Sequence, residues 1–137
     1  MFKKNNVLES IEFTGRQEDL KNHLITYNDI DIALDTFPYN GVTTSFEAIW
    51  MGVPVITMAG YNFNSRCGES INKNLNMERM VARDEDDYVD KVVNLSNNHD
   101  DYIKLRKSIF LDALKSPLFN VQNYSKSFFE ALERIVN

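Results

Sequence analysis

The sequence predicts an α/β fold in which helices cover a small parallel sheet, and two observations support this class. Up to about residue 83, short apolar runs alternate with segments of helical periodicity. Such alternation is typical of parallel sheets with crossover helices. Beyond that point only helical periodicity remains. We therefore expect a partial Rossmann-like parallel sheet of about four strands, with flanking helices and a helical C-terminus.

The first three elements are predicted within the first 34 residues. Residues 11–14, with the sequence Ile-Glu-Phe-Thr, predict a short strand that ends at Gly15. Residues 18–27 predict a helix, because their apolar side chains recur at helical spacing. Those apolar residues are Leu20, Leu24 and Tyr27. Residues 30–34 are apolar except for one aspartate, and so short a run favours a buried strand.

The next four elements follow the same alternation. Residues 44–51 predict a helix, and Gly52 stands after it, where glycine commonly ends helices. Residues 53–57 form another apolar run and predict a strand. A further helix is predicted for residues 65–75 and a last short strand for residues 80–82.

The C-terminal region predicts three helices, because apolar residues recur every three or four positions in three successive segments. Pro117 separates the second segment from the third, which covers residues 121–136. We expect a single domain over residues 1–137. Its parts are a tail at residues 1–10, an α/β part at residues 11–83 and C-terminal helices at residues 84–137.

Composition argues against several classes of protein. The 137 residues suffice for one core, and the net charge of -5 without a basic stripe argues against a nucleic-acid partner. Cys67 is the only cysteine, which excludes an internal disulfide and a cysteine-rich metal site. No apolar run approaches the roughly 18 residues that a membrane helix needs, and none follows the first residues as in a signal peptide. We expect a soluble, cytoplasmic protein that has no membrane partner.

The loop at residues 36–44 is the candidate binding site. It follows a predicted strand and precedes a helix, and parallel sheets bind ligands beyond the carboxyl ends of their strands. A helix N-terminus offers free N–H groups and a partial positive charge, which suit phosphate. Gly41 allows the backbone to approach a ligand closely, and Thr43 and Thr44 add hydroxyl donors. A diphosphate could bind here without any lysine or arginine.

The same residues also allow a purely structural interpretation. Thr44-Ser45-Phe46-Glu47 fits the capping box, in which Glu47 would only reach back to the Thr44 N–H. Residues 39–41 would then be a simple turn. The spacing of these residues leaves both interpretations open.

A longer stretch resembles a known family. The segment DIALDTFPYNGVTTSFEAIWMGVPVITMAG, followed by SRCGESI, is similar to the C-terminal catalytic lobe, which binds the donor, of the O-linked N-acetylglucosamine transferase and SPINDLY-type glycosyltransferase family. ERMVARD and the SPLF at residues 116–119 also resemble family segments. The resemblance runs from about Ile11 to Asn137 and implies the C-terminal half of a two-lobed GT-B glycosyltransferase.

The resemblance implies a function and a set of partners. Family members are inverting hexosyltransferases that need no metal or other cofactor. They transfer a sugar to Ser or Thr hydroxyls of proteins. The donor is usually UDP-N-acetylglucosamine, and some plant relatives use GDP-fucose. The expected partners are therefore a sugar nucleotide, a protein acceptor, and the family's N-terminal lobe or tetratricopeptide repeats.

The resemblance also assigns a site. The residues expected to bind the donor nucleotide are Glu18, His23, Gly41, Val42, Thr43, Thr44 and Glu47. The backbone amides of residues 42–44 would hold the diphosphate, and Glu47 would bond the ribose hydroxyls. His23, 12 positions before Asp35, would pack on the uracil. Main-chain groups near Glu18 would read the base edge. No catalytic residue and no metal ligand is expected in this chain.

Departures from the family pattern leave alternatives open. Val42 replaces the family's histidine or glycine, and Leu20 and Thr26 replace a lysine and an arginine of some members, which would give a weaker or a different donor. We expect a truncated lobe that is inactive in isolation and whose exposed apolar surface favours self-association. Whether the chain itself is an enzyme stays open. The alternatives are a non-catalytic lobe that acts as an interaction or nucleotide-binding module, and a sugar-nucleotide epimerase.

Overall fold

The fold was determined from a computed structural model that describes residues 2–15 and 17–136. The strands are β1 Ala33–Leu34, β2 Val55–Met58 and β3 Val81–Ala82. The helices are α1 Leu20–Ile25, α2 Thr43–Trp50, α3 Cys67–Asn74, α4 Glu85–Asn97, α5 His99–Lys115 and α6 Val121–Val136. Short 3-10 turns lie at Phe2–Asn5, Leu8–Ser10, Thr26–Asp29, Glu78–Met80 and Pro117–Phe119.

The sheet is parallel, with the strand order β1-β2-β3. Ala33 pairs with Val55 on one side of β2, and Thr57 pairs with Val81 on the other. All four residues of β2 are buried, because helices pack against the central strand of such a sheet on both faces. The predicted α/β class with a parallel sheet and a helical C-terminus is confirmed.

The predicted strand at residues 11–14 is wrong. The structure gives residues 11–15 an irregular backbone, and the Phe13 side chain is 81% exposed. A strand persists only where a neighbouring strand pairs with its N–H and C=O groups. Among the described residues β1 is the edge of the sheet, so the sheet has three strands rather than about four.

The ends of the helices follow from their local sequence. α1 covers only residues 20–25 of the predicted 18–27, because the chain tightens after Ile25 into a 3-10 turn. Asp19 caps α1 by accepting a 2.9 Å hydrogen bond from the Asn22 N–H. α2 is followed by Gly52, whose φ of 77° is a left-handed conformation that ends helices and favours glycine.

The core lies where α2, β2 and α5 meet. Ile49, Ile56 and Ile109 come from these three elements, and each is 0% exposed. Burying one such side chain contributes roughly 1.5–3 kcal/mol to the free energy of unfolding. The helical region is therefore part of the same hydrophobic core as the sheet.

The C-terminal helices also hold the segment around β1 through hydrogen bonds. Tyr88 of α4 donates its hydroxyl to the Asp35 carbonyl at 2.9 Å. Arg106 of α5 donates from Nη1 to the Ile30 carbonyl at 2.6 Å. The first bond holds the backbone just after β1, where the candidate loop begins. The second holds the backbone before β1.

α6 differs from the other long helices because it has no buried residue. Its apolar side chains lie on one helical face and are 41–84% exposed. They are Val121, Tyr124, Phe128, Phe129, Leu132, Ile135 and Val136. In the two stretches that the structure describes, no helix has both the length and the apolar character that crossing a membrane requires.

Candidate functional site

The N-terminus of α2 is open. Val42 is the N-cap residue, and among the described residues no side chain caps this helix. The first helical backbone bond runs from the Phe46 N–H to the Val42 carbonyl at 3.0 Å. Val42, Thr43 and Thr44 are exposed. The N–H groups of this first turn therefore belong to surface residues, as the binding interpretation requires.

Asp35 organises the loop between β1 and α2. One carboxylate oxygen accepts from the Gly41 N–H at 2.7 Å, and the other accepts from the Thr57 hydroxyl at 2.7 Å. Burial raises the pKa of Asp35, and these two bonds oppose that rise. Burial and the charge of Asp35 raise the pKa of Tyr88 to about 12, so its hydroxyl stays a donor to the Asp35 carbonyl.

Asn40 holds the loop against the neighbouring connection. Its side chain is 1% exposed and donates to the Thr36 carbonyl at 2.8 Å. Its Oδ1 accepts from the Gly68 N–H at 3.3 Å, and its own N–H donates to the Asn64 carbonyl at 3.1 Å. Asn40 is thus a packed residue that holds the loop in place, although Tyr39 beside it is 70% exposed.

Gly41 sits where a side chain would not fit. A Cβ at this position would lie 2.5 Å from Thr44 Oγ1 and 3.1 Å from Ser45 Oγ. The absence of a side chain lets the Thr44 hydroxyl approach the loop closely. Gly41 therefore links the loop to the first turn of α2 by close contact.

His23 and Glu47 meet beside α2. His23 Nε2 lies 3.0 Å from Glu47 Oε2, although the residues are 24 positions apart. Tyr27 donates its hydroxyl to the same carboxylate oxygen at 3.1 Å and also lies 3.3 Å from the Thr44 carbonyl. The capping-box interpretation is wrong, because Glu47 bonds these side chains and does not cap the helix.

Two cavities flank the N-terminus of α2. One of about 350 Å³ is lined by residues of β1, the loop and α2, among them Asp35, Gly41 and Thr44, together with Tyr27. The other, of about 700 Å³, is lined by Val42 and by aromatic and charged side chains of the segments that follow. They include Phe46, Tyr61, Phe63, Arg66 and Lys73. The open helix end therefore lies between a smaller and a larger cavity, and both are lined by apolar and polar side chains.

The structure brings most of the predicted site residues together. His23 bonds Glu47 directly, and Tyr27 connects Glu47 to Thr44. Glu18 is exposed in the turn before α1, and no described hydrogen bond joins it to the other residues. The binding roles given to all these residues remain predictions.

Tyr27 is a residue of the candidate site that was not predicted from the sequence. In the sequence, Tyr27 is only one of the apolar positions that predict a helix. Its side chain is 7% exposed, as expected of a buried apolar position. Burial, with the neighbouring Glu47, raises the pKa of its hydroxyl to about 12. The sequence offers one chemical indication of this role, because a tyrosine on a buried helical face needs a hydrogen-bond partner for its hydroxyl.

Comparison with known proteins identifies relatives that match most of this chain. The tomato protein (Solanum lycopersicum) named "Probable UDP-N-acetylglucosamine--peptide N-acetylglucosaminyltransferase SPINDLY" is 34% identical over 129 residues. That match covers 89% of this chain and 14% of the tomato protein. The Arabidopsis thaliana protein of the same name is 38% identical over 125 residues, covering 86% of this chain and 14% of the relative. The chain thus spans about one seventh of the length of these relatives.

A solved structure agrees with the sequence relatives. An O-GlcNAc transferase mutant from Thermobaculum terrenum superposes with a TM-score of 0.74 at 34% sequence identity. The match covers 90% of this chain and 23% of that chain, and it confirms the expected relation to a GT-B glycosyltransferase structure. The model of the family described as Glycosyl transferase family 41 matches residues 15–128. The chain therefore belongs to glycosyl transferase family 41, which confirms the resemblance to the O-linked N-acetylglucosamine transferase and SPINDLY-type proteins.

Proposed function

We propose that this chain is the sugar-nucleotide-binding part of an inverting protein O-glycosyltransferase. The donor is UDP-N-acetylglucosamine, and the acceptors are Ser and Thr hydroxyls of proteins. The names of the plant relatives support this donor and a peptide acceptor. The observation that carries the proposal is the pairing of His23 with Glu47 beside the open first turn of α2.

In this proposal the diphosphate binds at the N-terminus of α2. The backbone amides of Val42, Thr43 and Thr44 donate to its oxygens, and the partial positive charge of the helix end favours the anion. The absence of a side chain at Gly41 supports this assignment, because it brings loop and helix into close contact. Backbone amides and the helix dipole supply the anion binding, so the proposal includes no metal ion and no other cofactor.

The nucleoside binds on the side of α2 that carries His23 and Glu47. The imidazole of His23 packs on the uracil, and the Glu47 carboxylate accepts hydrogen bonds from the ribose hydroxyls. Main-chain groups near Glu18 read the base edge. The 3.0 Å contact between His23 and Glu47 supports this arrangement, since base and ribose of one nucleotide need adjacent binding groups.

Catalysis by such a site is stabilisation of the leaving group. When the bond between the sugar and the diphosphate breaks, negative charge develops on the β-phosphate. Preorganised amides at residues 42–44 stabilise this charge, and one such donor is worth about 3 kcal/mol in the transition state. The acceptor site and the general base lie outside this chain, in an N-terminal lobe or tetratricopeptide repeats, so we expect the isolated chain to turn over nothing.

Calorimetric titration of the chain with UDP and with GDP tests the proposal. We expect millimolar or tighter binding of UDP, and loss of that binding in the double variant Thr44→Val, Glu47→Ala. A matched control is Glu12→Ala, Thr14→Val, two exposed positions in the irregular N-terminal segment. Equal loss of binding in both double variants would contradict the proposal.

The alternative function is a non-catalytic lobe that acts as an interaction module. The exposed apolar face of α6 favours this alternative, because such faces mark contacts with other chains. The same titration separates the two functions. No heat with either nucleotide would support the interaction module.

A further inference from the structure

Tyr27 stands at the centre of the candidate site, although the proposed function gives it no role. It lies in the 3-10 turn after α1 and is 7% exposed. Its ring meets the His23 ring edge-on, with centroids 5.7 Å apart and planes at 84°. The phenol therefore contacts the residue proposed to pack on the base and also the carboxylate proposed to bind the ribose.

Both side-chain hydrogen bonds described for Glu47 reach the same carboxylate oxygen. Oε2 is contacted by the Tyr27 hydroxyl at 3.1 Å and by His23 Nε2 at 3.0 Å. Among the described residues no hydrogen bond reaches Oε1. The Glu47 side chain keeps 20% of its surface exposed, so a ligand has access to it.

We propose that Tyr27 is a positioning residue that makes this site select ribonucleoside over deoxyribonucleoside diphosphates. With two contacts on Oε2, the carboxylate is fixed in one orientation and Oε1 remains available for the ribose hydroxyls. The inference rests on the proposed function, because it assumes that a nucleotide binds here.

The physical reason is preorganisation. A glutamate side chain has several rotatable bonds, and a ligand that must order them loses affinity. The Tyr27 hydroxyl also contacts the Thr44 carbonyl in the first turn of α2, so it ties the carboxylate to that helix end. Replacing the phenol by phenyl removes the donor and keeps the ring that packs on His23.

The experiment measures the dissociation constants of UDP and 2′-deoxy-UDP by calorimetry. We expect the wild type to bind UDP about tenfold tighter than 2′-deoxy-UDP, the effect of losing one hydrogen bond to a charged group. In Tyr27→Phe, UDP binding should weaken about threefold to tenfold while 2′-deoxy-UDP binding changes less than about twofold. The control Tyr124→Phe, on the exposed face of α6, should keep the wild-type ratio.

The ratio of the two constants separates positioning from a general structural role. Equal weakening of both nucleotides in Tyr27→Phe, or an unchanged ratio, would overturn the inference. If Tyr27→Phe loses its fold by circular dichroism, Tyr27→Met keeps the apolar volume without a donor and is judged by the same ratio.

Failure of the inference can be told apart from failure of the proposed function. A wild type that binds UDP without preferring it over 2′-deoxy-UDP overturns the selection inferred here and leaves the binding of a sugar nucleotide by this chain standing. A wild type that binds neither UDP nor GDP overturns the proposed function and this inference together.

Discussion

The Asp35 carboxylate accepts a 2.7 Å hydrogen bond from the Gly41 N–H and so closes the loop that leads into α2. The same carboxylate bonds the Thr57 hydroxyl in β2, the central strand. The Asp35 side chain therefore connects the loop before α2 to the central strand of the sheet. This relationship makes the loop sensitive to small changes at both residues.

Gly41→Ala should weaken nucleotide binding more than it weakens the fold. The new Cβ would lie 2.5 Å from Thr44 Oγ1, so the hydroxyl must rotate away from the loop. We expect a loss of about 1 kcal/mol in the free energy of unfolding. UDP affinity should fall about tenfold, because the proposed phosphate site begins at this residue. Urea denaturation and calorimetry measure the two effects.

Gly15→Ala is the matched control for that substitution. A Cβ at Gly15 would meet nothing within 4 Å, so neither stability nor affinity should fall. If Gly41→Ala binds UDP as tightly as Gly15→Ala does, the loop is not part of the binding site.

Asp35→Asn should reveal a pH dependence of stability. Burial raises the pKa of Asp35 above its ordinary value of 3.8. The stability that this group contributes is therefore complete below pH 3.8 and is lost as the pH rises through the folded-state pKa. The free energy of unfolding of the wild type, minus that of Asp35→Asn, should decrease over this interval.

Chemical denaturation at a series of pH values measures this difference. Asp90→Asn on the exposed side of α4 corrects for the change in net charge. A difference between wild type and Asp35→Asn that increases with pH would show that the hydrogen bonds from Gly41 and Thr57 outweigh burial.

Ile109→Ala should destabilise the whole domain. Ile109 is 0% exposed and packs in the core that joins α5 to the sheet. Truncation of such a side chain costs about 2–5 kcal/mol. Leu111→Ala on the same helix removes a side chain that is 53% exposed and should cost less than about 1 kcal/mol. Similar losses in the two variants, measured by urea denaturation, would argue that α5 is not part of the core.

The chain in isolation should self-associate through α6, with a second copy covering the apolar face. A buried aromatic side chain covers about 150–250 Å². Tyr124, Phe128 and Phe129 are about half exposed or more. Together with the aliphatic residues, two copies could therefore bury on the order of 1,000 Å², enough for a specific interface. Sedimentation velocity measures the association.

Charges placed on the apolar face of α6 should restore the monomer. The test variant is Phe128→Glu, Leu132→Glu, and its control is Asn123→Glu, Ser127→Glu on the opposite face of the same helix. A monomeric wild type, or association that survives in the test variant, would rule out α6 as the contact.

Much of the fold could be predicted because its signals are local. Apolar runs and helical spacing identified the buried central strand, α2 and the long C-terminal helices. The predicted strand at residues 11–14 failed because a strand depends on a partner that a local pattern does not specify. Phe13 is apolar, yet it is 81% exposed, since nothing described packs over it.

The site was harder to predict than the fold for a similar reason. The motif at residues 44–47 fits a capping box and also a ligand site, and sequence spacing does not distinguish them. The contact that excludes the capping box joins residues 24 positions apart, His23 and Glu47, and the ligand site stays a prediction. The position of the Tyr27 hydroxyl depends on the 3-10 turn that follows α1. Helical periodicity in the sequence does not indicate this change of helix geometry.

The hydrogen bond from Arg106 to the Ile30 carbonyl, across 76 residues, has a consequence for biosynthesis. While the polypeptide is being translated, the backbone beside β1 gains this anchor only after residue 106 has left the ribosome. Chain synthesis at about 5–20 residues per second is slow compared with loop closure, so the emergence of residue 106 sets the time at which this contact can form. The nascent chain should therefore acquire protease resistance in this segment late in synthesis, after α5 has emerged.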